Sequence, residues 1–166
     1  MRPRLVALIV PVSLLISVFS FVKFVTHDIK LFEVDILKPV CILKVGEVLQ
    51  TCSEFLFSID GDVVSIPKGY VTALDTIPSW YKGIADLSRP DALEAAVIHD
   101  YLYSCPGSGT RKETDAIFYH AMIHEGASEY LAGKMYFAVR LFGGRHFNYE
   151  KECYPNEERQ DWTMHD

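Results

Sequence analysis

Charge is missing from the first part of this sequence. There is none between Leu5 and Val22, and no acidic residue stands before Asp28. Those 18 uncharged residues, LVALIVPVSLLISVFSFV, make a helix of roughly 27 Å, close to the ~30 Å hydrocarbon core of a bilayer. A buried core helix is the weaker reading, because core helices seldom run this long without a polar face. Arg2 and Arg4 precede the run and Lys23 follows it. The positive-inside rule therefore puts the N-terminus in the cytoplasm and everything after Thr26 across the membrane. The A-x-A pattern of a signal-peptide cleavage site is lacking too, Val18-Phe19-Ser20 being the best substitute. That absence favours an uncleaved signal anchor over a removed signal peptide, which would leave the domain secreted.

Other absences narrow the remainder. No basic cluster stands out and the net charge is −6, which argues against a phosphate-backbone groove and so against nucleic acid as a partner. No internal repeat, low-complexity run or linker divides the chain after residue 26. One domain is expected, over residues 27–153, with a mobile acidic tail at 154–166. Cysteine is scarce: Cys41, Cys52, Cys105 and Cys153 are all there are, and every one lies beyond the apolar segment. An even number in an oxidising compartment suggests two disulfides. Of three possible connectivities, Cys41–Cys52 across a hairpin with Cys105–Cys153 is favoured.

What is present changes character near residue 88. Before it come short β-rich stretches at Val34–Leu37, Val40–Val45, Val48–Cys52, Phe55–Ile59, Val63–Ile66 and Tyr70–Ala73, with turn signals between them. Asp60-Gly61-Asp62, flanked by apolar and β-branched residues, is a good hairpin signal. After it the period becomes helical. Ser88 and Pro90 open a helix to about Tyr103; Thr110-Arg111-Lys112-Glu113 is a capping box opening a second that ends at Gly126. Ser128 opens a third, Glu129 to about Phe142, ended by Gly143-Gly144. The expected class is α+β: a small antiparallel sheet packed on three helices and preceded by an N-terminal transmembrane helix.

The chemistry concentrates in the first two helices. Ala92, Ala96, His99 and Tyr103 share one helical face, and two alanines leave room for something to approach the imidazole. On the second helix Asp115 lies on the face of Phe118, Tyr119 and Met122, and an acid on an apolar face needs a partner. Antiparallel packing would make His99 and Tyr103 those partners. A carboxylate on one imidazole nitrogen leaves the other to take a proton from water. The competing reading is a buried polar network that only locks the helices together. His120 and His124, at i and i+4, lack the Glu of H-E-x-x-H and read as exposed polar residues.

Three ordered blocks resemble a phage, prophage and bacterial family, the domain of unknown function 1353. They are Ile66-Pro67-Lys68-Gly69-Tyr70-Val71-Thr72 with Pro78; Ala96-Val97-Ile98-His99-Asp100-Tyr101-Leu102-Tyr103; and Arg111 to Phe118 with Asp115. The run Tyr136–Gly143 fits that family's final helix, so the likeness covers about residues 50 to 145. The family has Thr-Asp where this chain has Thr72-Ala73, and Asp75, two residues along, could replace the carboxylate. The family brings no established activity. The string His99-Asp100-x-x-Tyr103 is also similar to the active-site helix of secreted phospholipase A2 enzymes. That likeness implies His99 as base, Asp115 orienting it, Tyr103 supporting Asp115, and Asp100 binding calcium. The glycine-rich calcium loop and the cysteine pair expected upstream are lacking.

These readings lead to a membrane-anchored extracytoplasmic hydrolase of the inner membrane, N-terminus in the cytoplasm and domain in the periplasm. His99, Asp115 and Tyr103 would be catalytic. Asp100 and Asp75 would hold a divalent cation, calcium or zinc, and a lipid or cell-envelope bond would be the substrate. The rival expectation is a non-enzymatic phage or prophage envelope protein, with a structural, lysis or exclusion role.

Overall fold

The structure, a computed structural model, describes residues 27–46, 48–72, 90–105, 107 and 109–149. The apolar N-terminal run, Asp75, Ser88, Cys153 and the acidic tail lie outside the described residues. No helix among those described is long and apolar enough to cross a membrane.

Among the described residues six strands come first: β1 Val34–Lys38, β2 Ile42–Val45, β3 Val48–Thr51, β4 Phe55–Ile59, β5 Asp62–Ile66 and β6 Val71–Thr72. A two-residue turn joins β4 to β5. Asp60 and Gly61 both take positive φ, 52° and 87°, the pattern of a two-residue turn whose twist matches that of paired strands. Pairing therefore runs from Ile59↔Asp62 to Phe55↔Ile66. Period-two alternation turns Phe55, Phe57 and Ile66 into the core, each fully buried,. On the other edge of β4, β1 pairs with a register shift between Ile36 and Lys38, which leaves Leu37 exposed,.

The strands form two sheets rather than the single one expected. One has the order β1-β4-β5 and the other β2-β3-β6, both antiparallel. Alternation identifies strands but does not choose their neighbours, and the break at residues 52–54 separates β3 from β4. Cys41 and Cys52 are disulfide-bonded across the β2–β3 hairpin, as expected, with Cα atoms 5.3 Å apart,. Thr51 then ties down the next turn: its hydroxyl donates to Pro67 O at 2.7 Å and accepts from Tyr70 N at 2.9 Å.

Three helices follow among the described residues: α1 Pro90–Ser104, α2 Arg111–His124 and α3 Glu129–Phe142, the last continued by a 3-10 turn at Gly143–His146. The capping box at Thr110 is present, with the Thr110 side chain accepting from Glu113 N and the Glu113 side chain from the Thr110 backbone,. Ser128 caps α3 through Leu131 N. Residue pairings show that the helices alternate in direction. His99 meets Asp115 while Ala95 N bonds the Glu125 carboxylate, so α1 and α2 are antiparallel. Asp115 meets Arg140 while Tyr119 packs edge-on to Tyr136, so α2 and α3 are antiparallel too. Ile98, Phe118, Met122, Ala132 and Met135 fill the space between the helices and extend the core of the sheets.

Candidate active site

Asp115 is the centre. It sits in the second turn of α2, fully buried, among Thr114, Ala116, Ile117 and Phe118. Removing a carboxylate from water is costly unless its oxygens are bonded. Here three donors reach it. His99 Nε2 is 2.9 Å from Oδ1, the Tyr103 hydroxyl donates to the same oxygen at 2.6 Å, and Arg140 Nη1 donates to Oδ2 at 2.7 Å. Burial alone would raise the Asp115 pKa. The bonds from His99, Tyr103 and Arg140 outweigh it and hold the carboxyl below its usual range, so it is ionised,.

The charge of Asp115 dictates the protons around it. An ionised carboxylate can only accept, so His99 carries a hydrogen on Nε2, and in the neutral ring the lone pair is then on Nδ1. No described residue bonds Nδ1, and the ring retains 13% of its exposure. The ring lies between Tyr103 and Phe118, at centroid distances of 4.0 and 4.7 Å, which limits its rotation. Burial and then the Asp115 charge push the Tyr103 hydroxyl far above its ordinary value, so it remains a donor. The Arg140 guanidinium would lose basicity through burial, but Asp115 reverses this and raises it.

α1 and α2 bring together His99, Tyr103 and Asp115 as the spacing suggested. What sequence reasoning missed comes from further along. Arg140 had no role in it, although it lies in the run assigned to the final helix. Arg111 opens a helix and the third family block but has no contact assigned by the sequence; its guanidinium donates to Val139 O and Arg140 O, near the end of α3. Gly143 was a helix stop. A Cβ there would stand 2.7 Å from the Tyr103 hydroxyl, so glycine is what lets Tyr103 reach Asp115. Beyond it, Phe147 packs edge-on to Tyr103, while buried Asn148 donates its backbone N–H to Tyr103 O and its amide to Ser104 O. The chain after α3 thus caps α1 at the residue that serves the site.

Asp100 points elsewhere. Its carboxylate lies 3.5 Å from the Tyr70 hydroxyl, which also bonds Ser104 Oγ at 3.1 Å. Tyr70 comes from the turn held by Thr51, so the first sequence block abuts the second through this pair. Of the two expected cation ligands Asp75 is outside the described residues. Among those described, no three His, Cys, Asp or Glu side chains could hold a metal ion. Cys105 is disulfide-bonded, and its expected partner Cys153 is outside the described residues. His120 Nε2 lies 3.2 Å from Lys30 O, and His124 Nδ1 4.0 Å from Asp35.

Residues 49–139 match the model of a family described as a protein of unknown function, DUF1353. The chain belongs to this family. The match runs from β3 into the last turn of α3, and so includes His99, Tyr103, Arg111 and Asp115. It ends one residue before Arg140 and leaves out Cys41. No curated protein and no solved structure matches the chain.

Proposed function

We propose that this DUF1353 protein is a hydrolase, anchored by its N-terminal apolar segment and acting outside the cytoplasm on an ester or another cell-envelope bond. The observation that carries the reading is a partly exposed imidazole whose Nε2 is held by a buried, ionised carboxylate while no described residue bonds Nδ1. Water on Nδ1 would give its proton to that nitrogen as its oxygen bonds the ester carbonyl carbon. The carbonyl then re-forms, the bond to the leaving alkoxide breaks, and the alkoxide takes the proton back from Nδ1. Asp115 holds the ring and balances its transient positive charge. Arg140, on the other carboxylate oxygen, shares that negative charge, so Asp115 acts more by orientation than by raising basicity. No step uses a cation. The 18-residue apolar run and two disulfide-bonded sites support an exported location,.

The test is hydrolysis of a panel of chromogenic esters by the native protein, His99→Ala and Asp115→Asn. Loss of about 10²–10⁴ in rate with unchanged circular dichroism supports the reading. The complete burial of Asp115 favours a second one, in which the network only locks the helices. Native protein inactive on every ester, with both variants destabilised, would establish that instead.

A further inference from the structure

Arg140 has more donors than Asp115 uses. A guanidinium carries five N–H groups in a planar fork. One nitrogen, Nη1, bonds Asp115 Oδ2, and no described residue takes the other N–H groups. The side chain keeps 29% of its exposure, against none for Asp115. His99 and Arg140 bond opposite oxygens of the same carboxylate, so the imidazole and the guanidinium flank one buried charge from its two sides. Among the described residues, Arg140 bonds Asp115 and Arg111 bonds the Arg140 carbonyl, while Glu113 is paired with Lys30 at 2.7 Å and Asp28 is exposed to solvent. The Arg111 donors are directed to the end of α3, where the helix dipole is negative,. Arg140 thus keeps N–H donors that no described residue fills, on a chain whose net charge is −6.

We infer that the free edge of Arg140, beside His99, binds an oxyanion, and that the substrate is an ester carrying a phosphate or carboxylate close to the scissile bond. A planar pair of N–H donors matches both groups in a two-point fashion. The substrate class rests on the hydrolase reading above; the binding site does not.

The experiment follows the His99 ring resonances of the full-length protein by NMR during titration with inorganic phosphate and, separately, acetate, at constant ionic strength. Saturable shifts are expected with at least one of them and none with uncharged trimethyl phosphate. Arg140→Lys keeps a cation for Asp115 but loses the planar edge, and should weaken the binding at least tenfold while the His120 resonances stay in place. Saturation by phosphate alone points to a phosphate-bearing substrate, and by acetate alone to a carboxylate-bearing one. Shifts that never saturate, or equal affinity in Arg140→Lys, overturn the inference. Should that variant not fold, equal response to phosphate and trimethyl phosphate in the native protein overturns it equally well. Parallel assays with p-nitrophenyl acetate and methyl p-nitrophenyl phosphate separate the two claims. His99-dependent turnover without anion binding removes this inference alone; Arg140-dependent anion binding without turnover removes the hydrolase reading alone.

Discussion

At the scale of single residues the site is a problem of one buried negative charge and its donors. Asp115→Asn replaces an acceptor oxygen with an amide that donates, which opposes Nε2–H of His99 or the Arg140 guanidinium. The expected result is loss of the proposed hydrolysis, measured as kcat/KM. Stability should fall by less than the about 3–5 kcal/mol of a fully buried broken pair, since Arg140 can turn to water. Gly143 gives a sharper test, because a Cβ there would stand 2.7 Å from the Tyr103 hydroxyl. Gly143→Ala should destabilise by about 1–3 kcal/mol through overpacking. In a Tyr103→Phe background the same change should cost less, because the hydroxyl is gone while the ring carbons at 3.2 and 3.3 Å remain, so urea unfolding of the double-mutant cycle would show coupling. Additive losses would mean that Tyr103 moves aside freely. Acid stability has a definite sign. The Asp115 pKa is lowered on folding, so the unfolded chain takes up its proton first as pH falls through the ordinary value of 3.8. The stabilisation is present above that value and is lost progressively below it as the folded carboxyl titrates. Asp115→Asn should flatten this part of the acid-unfolding curve, followed by circular dichroism.

At the scale of elements, α2 connects the cap to the chemistry. Thr110 and Glu113 satisfy the first turn, and Asp115 stands in the next. Thr110→Ala removes the cap and should cost about 0.5–2 kcal/mol, a lowering of Tm by several degrees. Unchanged thermal unfolding would show that packing against α1 and α3 already holds the turn. The helices were legible in the sequence almost to the residue, because capping and termination are local chemistry: Thr110, Ser128 and Gly143 act on neighbours within four positions. β4 was equally legible, its alternation and the Asp60-Gly61 turn both being local. The partition of strands into two sheets was not, since each strand's pattern fits either sheet.

At the scale of the whole molecule, the disulfide and the chain end hold distant parts together. Cys41–Cys52 closes a loop with a sequence separation of 11, and the chain-entropy model assigns such a loop about 2–3 kcal/mol. Replacing both cysteines with serine should lower the unfolding free energy by that amount and leave His99 resonances unshifted, because the hairpin of β2 and β3 makes no bond to Asp115. A shifted His99 would reveal that the second sheet positions the site. Only part of the site could be read in advance. The sequence alone determined the helix limits, the shared face of His99 and Tyr103, and the need of Asp115 for a partner, because all three follow from helical periodicity and the cost of burying charge. Only the tertiary structure decided that Arg140, 25 positions from Asp115, completes that carboxylate and that Gly143 makes room for Tyr103. Contacts between α3 and the first two helices depend on how three apolar faces close around one core, and no local pattern in the chain records that geometry.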